Sequence, residues 1–506
     1  MNKRASGLLL HITSLHSKFG IGDLGPPSFE FVNFLSEGGQ KYWQILPLNP
    51  TELAYGNSPY SCPSTYAGNP LLISFESMKV DGYLSSSDLR YKPTFPKNRV
   101  NYNKVSLYKM DLLKNTFEHN KRGISEDRDF NKFCMDNECW LADYCLYTMY
   151  RIKYNSRTWR DFPIELKYRD NKELVKLSEK EESTVLFYKF LQFIFFKQWS
   201  NLKTFANDRG IQFIGDLPYY VNYDSSDVWA NQEIFKLDKN KNPEFIAGVP
   251  PDYFSETGQL WGNPVYDWDK LKESGYAWWI KRIRHNLSMF DKLRFDHFRG
   301  FVSFWEVEAG EKTALNGKWV HVDTYNFLKE LFAHFEKSNF IAEDLGLITE
   351  DVREVIKRYH LPGMKILLFA FGDDFPHGDY LPHNIDANCV IYTGTHDNNT
   401  VIGWWKGEAR DIEKCRVCEY IGRELNESLI NWEFIKLALE SRADIAIIPM
   451  QDILGLGEDS RMNTPATAYG NWEWKLSEEQ LNLNLARRLE QLTEKSNRSG
   501  SASGKD

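Results

Sequence analysis

This 506-residue chain lacks several features that would assign it quickly, and each absence excludes a class. Cysteine is sparse: seven residues, at 62, 134, 139, 145, 389, 415 and 418, are too few and odd in number for a disulfide framework. Free thiols and a cytoplasmic location are therefore expected. The pair Cys415-Arg-Val-Cys418 has no second CxxC to complete a zinc site. Long apolar runs are missing too. Gly7-Leu8-Leu9-Leu10 stops at His11 with no small-residue cleavage site, so neither a membrane span nor a signal peptide is expected. Positive charge is not in excess: 62 Lys+Arg against 70 Asp+Glu leave a formal charge of −8, which argues against a nucleic-acid partner. There is no P-loop and no G-x-S-x-G elbow. Gly20-Ile-Gly22-Asp-Leu-Gly25 matches a dinucleotide fingerprint, but it lies eight residues beyond the run ending at His11. Pro26-Pro27 also stand where its helix would continue, so a nucleotide cofactor is not expected.

What the chain has in abundance is aromatic side chains, 15% of residues, more than a core requires. Sugars are the ligands that most often stack on such rings. Eight apolar or β-branched runs recur: 6–11, 42–48, 211–217, 292–298, 340–345, 364–370, 389–397 and 445–452. Helical patterns separate them, and continuous apolar strands alternating with helices predict a parallel α/β sheet closed as a (β/α)8 TIM barrel. The gap between the second and third runs far exceeds the roughly 30 residues of a plain strand–helix–strand unit. A catalytic barrel is thus expected over 1–494, with a helical subdomain inserted at about 72–185. A Gly/Pro/Trp-rich loop subdomain is expected at about 218–275, and a disordered low-complexity tail over 495–506.

Barrel active sites lie at the C-terminal ends of the strands. There the third run ends in Asp216, the fourth in Asp296 and Arg299, the fifth in Glu343-Asp344, the seventh in His396-Asp397 and the eighth in Gln451-Asp452. Several carboxylates converging on one mouth suit glycoside cleavage, in which one attacks or stabilises an oxocarbenium-like centre and another protonates the leaving oxygen. Arg294 and Asp296, two apart on a strand, share a face. A guanidinium there would keep Asp296 ionised, although a buried ion pair filling the barrel accounts for the spacing equally well. Glu343 facing an anionic Asp296 should hold its proton and serve as an acid. A carboxylate at this point could instead cap a following helix, a role open to Asp344. Asp397 beside His396 fits hydrogen bonding to sugar hydroxyls better than metal ligation, so no metal is expected.

These segments together resemble the 4-α-glucanotransferases (amylomaltase, disproportionating enzyme) of glycoside hydrolase family 77, in the α-amylase clan. The resemblance rests on Asp216-Leu-Pro-Tyr-Tyr…Asp224, Gly248-Val-Pro-Pro-Asp252…Trp261-Gly-Asn263, Arg294-Phe-Asp296-His-Phe-Arg299, Ala342-Glu343-Asp344 and Thr395-His396-Asp397-Asn. It extends through Ser58-Pro-Tyr60 and Arg461-Met-Asn463-Thr-Pro465 and spans about residues 4–475. It implies a barrel with inserted subdomains and no C-terminal β-domain. It also implies Asp296 as nucleophile, Glu343 as acid/base and Asp397 as transition-state stabiliser. Arg294, His396, Asp216 and Tyr60 would form the first donor subsite, Tyr55 and Trp261 would be glucan platforms, and Ser58 and Asn463 further substrate contacts. The expected substrates are maltooligosaccharides and α-1,4-glucans, the expected cofactor none, and the expected state a monomer or weak dimer. A hydrolase with the same trio and a catalytically dead glucan binder are the other readings. Ile12, His16, Asn49 and Ala466 depart from the usual pattern, Ala466 standing where Gly is usual.

Overall fold

The computed structural model describes residues 4–155, 158–251, 255–346 and 348–499. Twelve strands occur in chain order: β1 Ala5–Leu9, β2 Tyr42–Gln44, β3 Gln212–Leu217, β4 Phe245–Val249, β5 Gln259–Pro264, β6 Lys292–Phe295, β7 Ser303–Glu308, β8 Lys318–His321, β9 Phe340–Ala342, β10 Gly363–Ile366, β11 Cys389–Tyr392 and β12 Ile445–Pro449. Eight of them form one all-parallel sheet, ordered β10-β11-β12-β1-β2-β3-β6-β9. Each coincides with one of the eight apolar runs to within a residue at its start, because strands covered on both faces need no polar alternation. The ring joins its first strand to its last: Ala5 to Leu9 pair in register with Ile445 to Pro449.

Between β9 and β10 the ladder is replaced by two bonds. The Ala342 amide donates to the Pro362 carbonyl (2.9 Å), and the Met364 amide donates to the Asp344 carboxylate (2.6 Å). Asp344 therefore caps no helix. It closes the barrel seam, and the following helix, Glu350–Tyr359, starts from Thr349.

The 26-residue helix Glu182–Asn207 fixes the helical region to the barrel. Near its start, Phe187 and Phe190 meet Phe117, and Phe193 meets Phe130 and Phe133 of the helices Tyr102–Glu126 and Arg128–Asp136. Further along, Trp199 packs on Phe213 of β3 and on Phe290. One continuous rod of about 39 Å, at ~1.5 Å per residue, thus belongs to both regions.

Three expectations need correction. Pro26-Pro27 do not interrupt a helix; they occupy the first turn of the helix Pro26–Glu37, where a missing amide costs nothing. The glycines before them are there for close packing: a Cβ on Gly22 would lie 1.9 Å from the Ile12 carbonyl oxygen. The segment 218–275 is not a loop subdomain alone. It supplies β4 and β5 to an antiparallel sheet ordered β5-β4-β7-β8, whose other half comes from 303–321. Finally, the tail does not begin at 495. The helix Leu483–Lys495 runs into Arg498, which is fully buried, while residues 500–506 lie outside the described residues. Among the described residues no helix is long and apolar enough to cross a membrane.

Candidate active site

Strand register assembles the site. Asp216 and Arg294 are direct partners in the β3–β6 ladder, and Phe295 pairs with Ala342, so Asp296 and Glu343 leave adjacent strands side by side. Backbone bonds continue past the strand ends: the Glu343 amide donates to the Phe295 carbonyl (3.1 Å) and the Asp296 amide to the Leu217 carbonyl (3.1 Å).

Arg294 Nη1 donates to both oxygens of Asp216 at 2.8 Å and lies 3.0 Å from Asp296 Oδ1. Both readings of the Arg-Phe-Asp spacing therefore hold: a buried ion pair with Asp216, and a cation against Asp296. The Tyr60 hydroxyl donates to Asp216 Oδ2 (2.7 Å), and its ring stacks on His396 at 5.1 Å between centroids and 16° between planes. Trp472, absent from the expected site residues, completes this aromatic wall at 5.9 Å from Tyr60 and 6.0 Å from His396.

Glu343 accepts two backbone amides, His297 N–H on Oε2 (2.8 Å) and Leu345 N–H on Oε1 (2.7 Å). His297 donates from left-handed backbone, φ +51°, an uncommon state for a non-glycine residue beside an acid cluster. Its part was invisible in sequence because it acts through the main chain. Burial, reinforced by the Asp296 charge and opposed by Arg294, pushes the Glu343 carboxyl up to about 7. Asp397 goes the other way. Burial alone would raise it, but His396 Nε2 at 3.3 Å from Oδ2 and the Asn463 amide on Oδ1 (2.7 Å) hold it well below the usual carboxylate range. Two carboxyls of one mouth are thus set apart, one neutral and one ionised near neutral pH.

A support lies behind Asp397. Arg461 donates to the Asp397 carbonyl (2.7 Å) and the Asn463 carbonyl (2.8 Å), and pairs with Glu408 (3.1 Å) at the end of the π-turn Trp404–Glu408. Asn463, expected as a substrate contact, gives its amide to Asp397. Ser58 Oγ accepts the Tyr60 amide (3.2 Å) and so shapes the turn that carries Tyr60. Tyr55 lies further out, its hydroxyl on Asp224 (3.2 Å). Trp261, 38% exposed on β5, meets His297 edge-on at 5.0 Å and so stands at the rim beside Asp296. Part of the Gly248–Pro264 segment, residues 252–254, lies outside the described residues. Among the described residues no group of three or more His, Cys, Asp or Glu is arranged to hold a metal ion.

The chain as a whole is similar to proteins of one family. The profile of the family described as 4-alpha-glucanotransferase matches residues 10–482. A 4-alpha-glucanotransferase of Aquifex aeolicus is 46% identical over 477 residues, covering 94% of this chain and 96% of its own. One from Synechocystis is 46% identical over 499 residues, covering 98% of each. The solved structure of an amylomaltase from Streptococcus agalactiae in complex with acarbose has a TM-score of 0.94 at 36% identity, covering 98% of this chain and 100% of that one. With its fold and nearly its whole length matched, this chain belongs to the 4-alpha-glucanotransferase family.

Proposed function

We propose that the mouth performs a retaining transfer of α-1,4-glucan segments by double displacement. Asp296 attacks the anomeric carbon, and Glu343 gives its proton to the departing glycosidic oxygen, leaving a glycosyl ester on Asp296. The 4-hydroxyl of glucose or another glucan then loses its proton to Glu343 and displaces Asp296, restoring the α-linkage. Asp397, held ionised by His396 and Asn463, accepts sugar hydroxyls and offsets positive charge at the ring. Arg294, Asp216, Tyr60 and His396 form one rigid wall for the donor sugar, while Trp261 and Tyr55 offer faces further along the chain. The observation that carries this reading is the pairing of a proton-holding Glu343 with an Asp296 that touches Arg294.

Maltotriose tests it. Transfer gives glucose and a ladder of longer maltooligosaccharides, with α-configured first products by NMR. Only shorter sugars would mean a hydrolase, no change a binder, and β-configured first products would overturn the double displacement. We further propose work in the cytoplasm as a monomer or weak dimer, which sedimentation would check. All seven cysteines are free thiols, which fits a reducing compartment.

A further inference from the structure

We infer that a second cavity, on the flank of the barrel, binds an α-glucosyl unit of the glucan outside the catalytic mouth. The cavity measures about 210 Å³ and shares no lining residue with the acid cluster. It lies where the helix Glu138–Lys153 of the inserted region faces the helix Ala277–Met289 of the barrel. Each helix presents the same i, i+1, i+4 face: Cys139, Trp140 and Asp143 from one, Ala277, Trp278 and Lys281 from the other.

The aromatic walls are fixed in advance. Tyr66 and Trp140 lie nearly parallel, 16° between planes and 6.1 Å between centroids, backed by His285. Trp278 opposite is backed by Tyr266, Trp279 and Arg282. All three aromatic residues are at most 8% exposed, so their rings lose little freedom when a ligand arrives.

Some of the polar groups are unspent, Asp227 not among them: its two oxygens accept the Thr65 amide (2.8 Å) and hydroxyl (2.6 Å). The Tyr66 hydroxyl has no hydrogen-bond partner among the described residues, although its side chain is more than nine-tenths buried. Neither Lys281 nor Glu233 has an ion-pair partner among those residues, and Asp143 uses only one oxygen, on Arg169 (2.7 Å). The carboxylates Asp143, Asp227 and Glu233 outnumber the single lysine, which disfavours phosphate or any other anion. The uncovered ring edges suit the C–H groups of a hexose, and the free oxygen of Asp143, Glu233, the Tyr66 hydroxyl and the Lys281 ammonium suit its hydroxyl rim. That combination in a preformed concavity marks a sugar subsite.

The inference rests on the glucan-transfer reading, and the test separates the two. Cys139 is an exposed thiol on the cavity wall, and Cys415, exposed on the helix Asp411–Ile421, serves as an internal reference. Alkylation of the whole protein with iodoacetamide is followed at each cysteine by peptide mass spectrometry. Saturating maltoheptaose should slow alkylation at Cys139 by about five-fold or more without changing Cys415, since thiol reactivity follows exposure. Ala277→Trp, which fills the cavity from an exposed position, should abolish that protection, with an unchanged thermal midpoint showing that the variant is folded. Lys281→Ala, a rim change, should weaken it. Glucose and maltoheptaose form separate arms: protection by both assigns a chain end as well as free hexose, and protection by glucose with none by maltoheptaose overturns the assignment to a unit of the glucan. Cys139 reactivity indifferent to both sugars, or protection surviving Ala277→Trp, overturns the inference. If maltotriose is still disproportionated in that case, the function of the mouth stands; loss of all transfer would instead strike the function itself.

Discussion

Glu343 is asked to be acid and base in turn, and its surroundings set the pH at which it can begin. With its carboxyl near 7, the basic limb of kcat/KM should have its midpoint near pH 7. Arg294 lowers that value by stabilising the anion, so Arg294→Gln should carry the limb to higher pH; an unmoved limb would contradict the coupling. The same residue bears on stability. Its folded value is raised above an unfolded value of about 4.3, so its contribution is fully present below pH 4 and lost as pH rises through 7. The thermal midpoint of Glu343→Gln minus that of the parent should therefore grow between about pH 4 and pH 7 and level off above. Calorimetry across that range decides it. Glu408 touches no sugar in this scheme, yet it steadies the Arg461 that holds the Asp397 main chain. Glu408→Ala should lower kcat roughly tenfold with little change in KM, because sub-ångström misplacement is costly. Equal loss in both parameters would point to a binding role instead.

Elements differed in how plainly the sequence announced them. The eight barrel strands were legible because burial on both faces turns them into short uninterrupted runs, as in Ile445-Ala-Ile-Ile-Pro449. The acid cluster followed from reading the ends of those runs. Half of the second sheet was missed because β7 and β8 mix polar with apolar residues, and the pairing of β7 with β4 spans dozens of residues. The alternation in Ser303-Phe-Trp-Glu-Val-Glu308 was the available signal. The tail was misread because Ser, Gly and Lys dominate its composition while a single Arg498 anchors it. Ala466 shows the converse, a sequence departure whose meaning needed the backbone: it sits at φ +65°, the left-handed region that glycine enters freely. Ala466→Gly should stabilise the loop by roughly 1 kcal/mol, read as a higher thermal midpoint. A lower midpoint would mean that the methyl group makes a contact worth more than the strain.

At the scale of the molecule, a ring of strands is only as firm as its closures. At its base, Arg498 donates to the carbonyls of Ala5, Leu439, Ser441, Ala443 and Asp444, while Arg4 reaches Leu439 and Ser441 from the other end of the chain. No carboxylate pairs with Arg498 among the described residues, and burial pushes its guanidinium down to about 9. Arg498→Ala should cost about 3 kcal/mol by orphaning those carbonyls, and Arg498→Lys should recover little because one ammonium cannot reach them all. Thermal melts of both variants check this, and a rescued Lys variant would show that charge rather than geometry matters.

That clamp also orders events in time. Synthesis proceeds at about 5–20 residues per second, and nascent chains fold from the N-terminus as they emerge. The strand made first, β1, must pair with β12, which appears only after the other barrel strands, and the arginine that ties both to one set of carbonyls comes some fifty residues later still. A nascent chain whose Arg498 is still inside the ribosome therefore carries a ring without its clamp, and before β12 emerges the edge of β1 stays open. The inserted helices, made before β3 and sharing a rod with it, can pack earlier, so the appendage is ready before the ring it decorates.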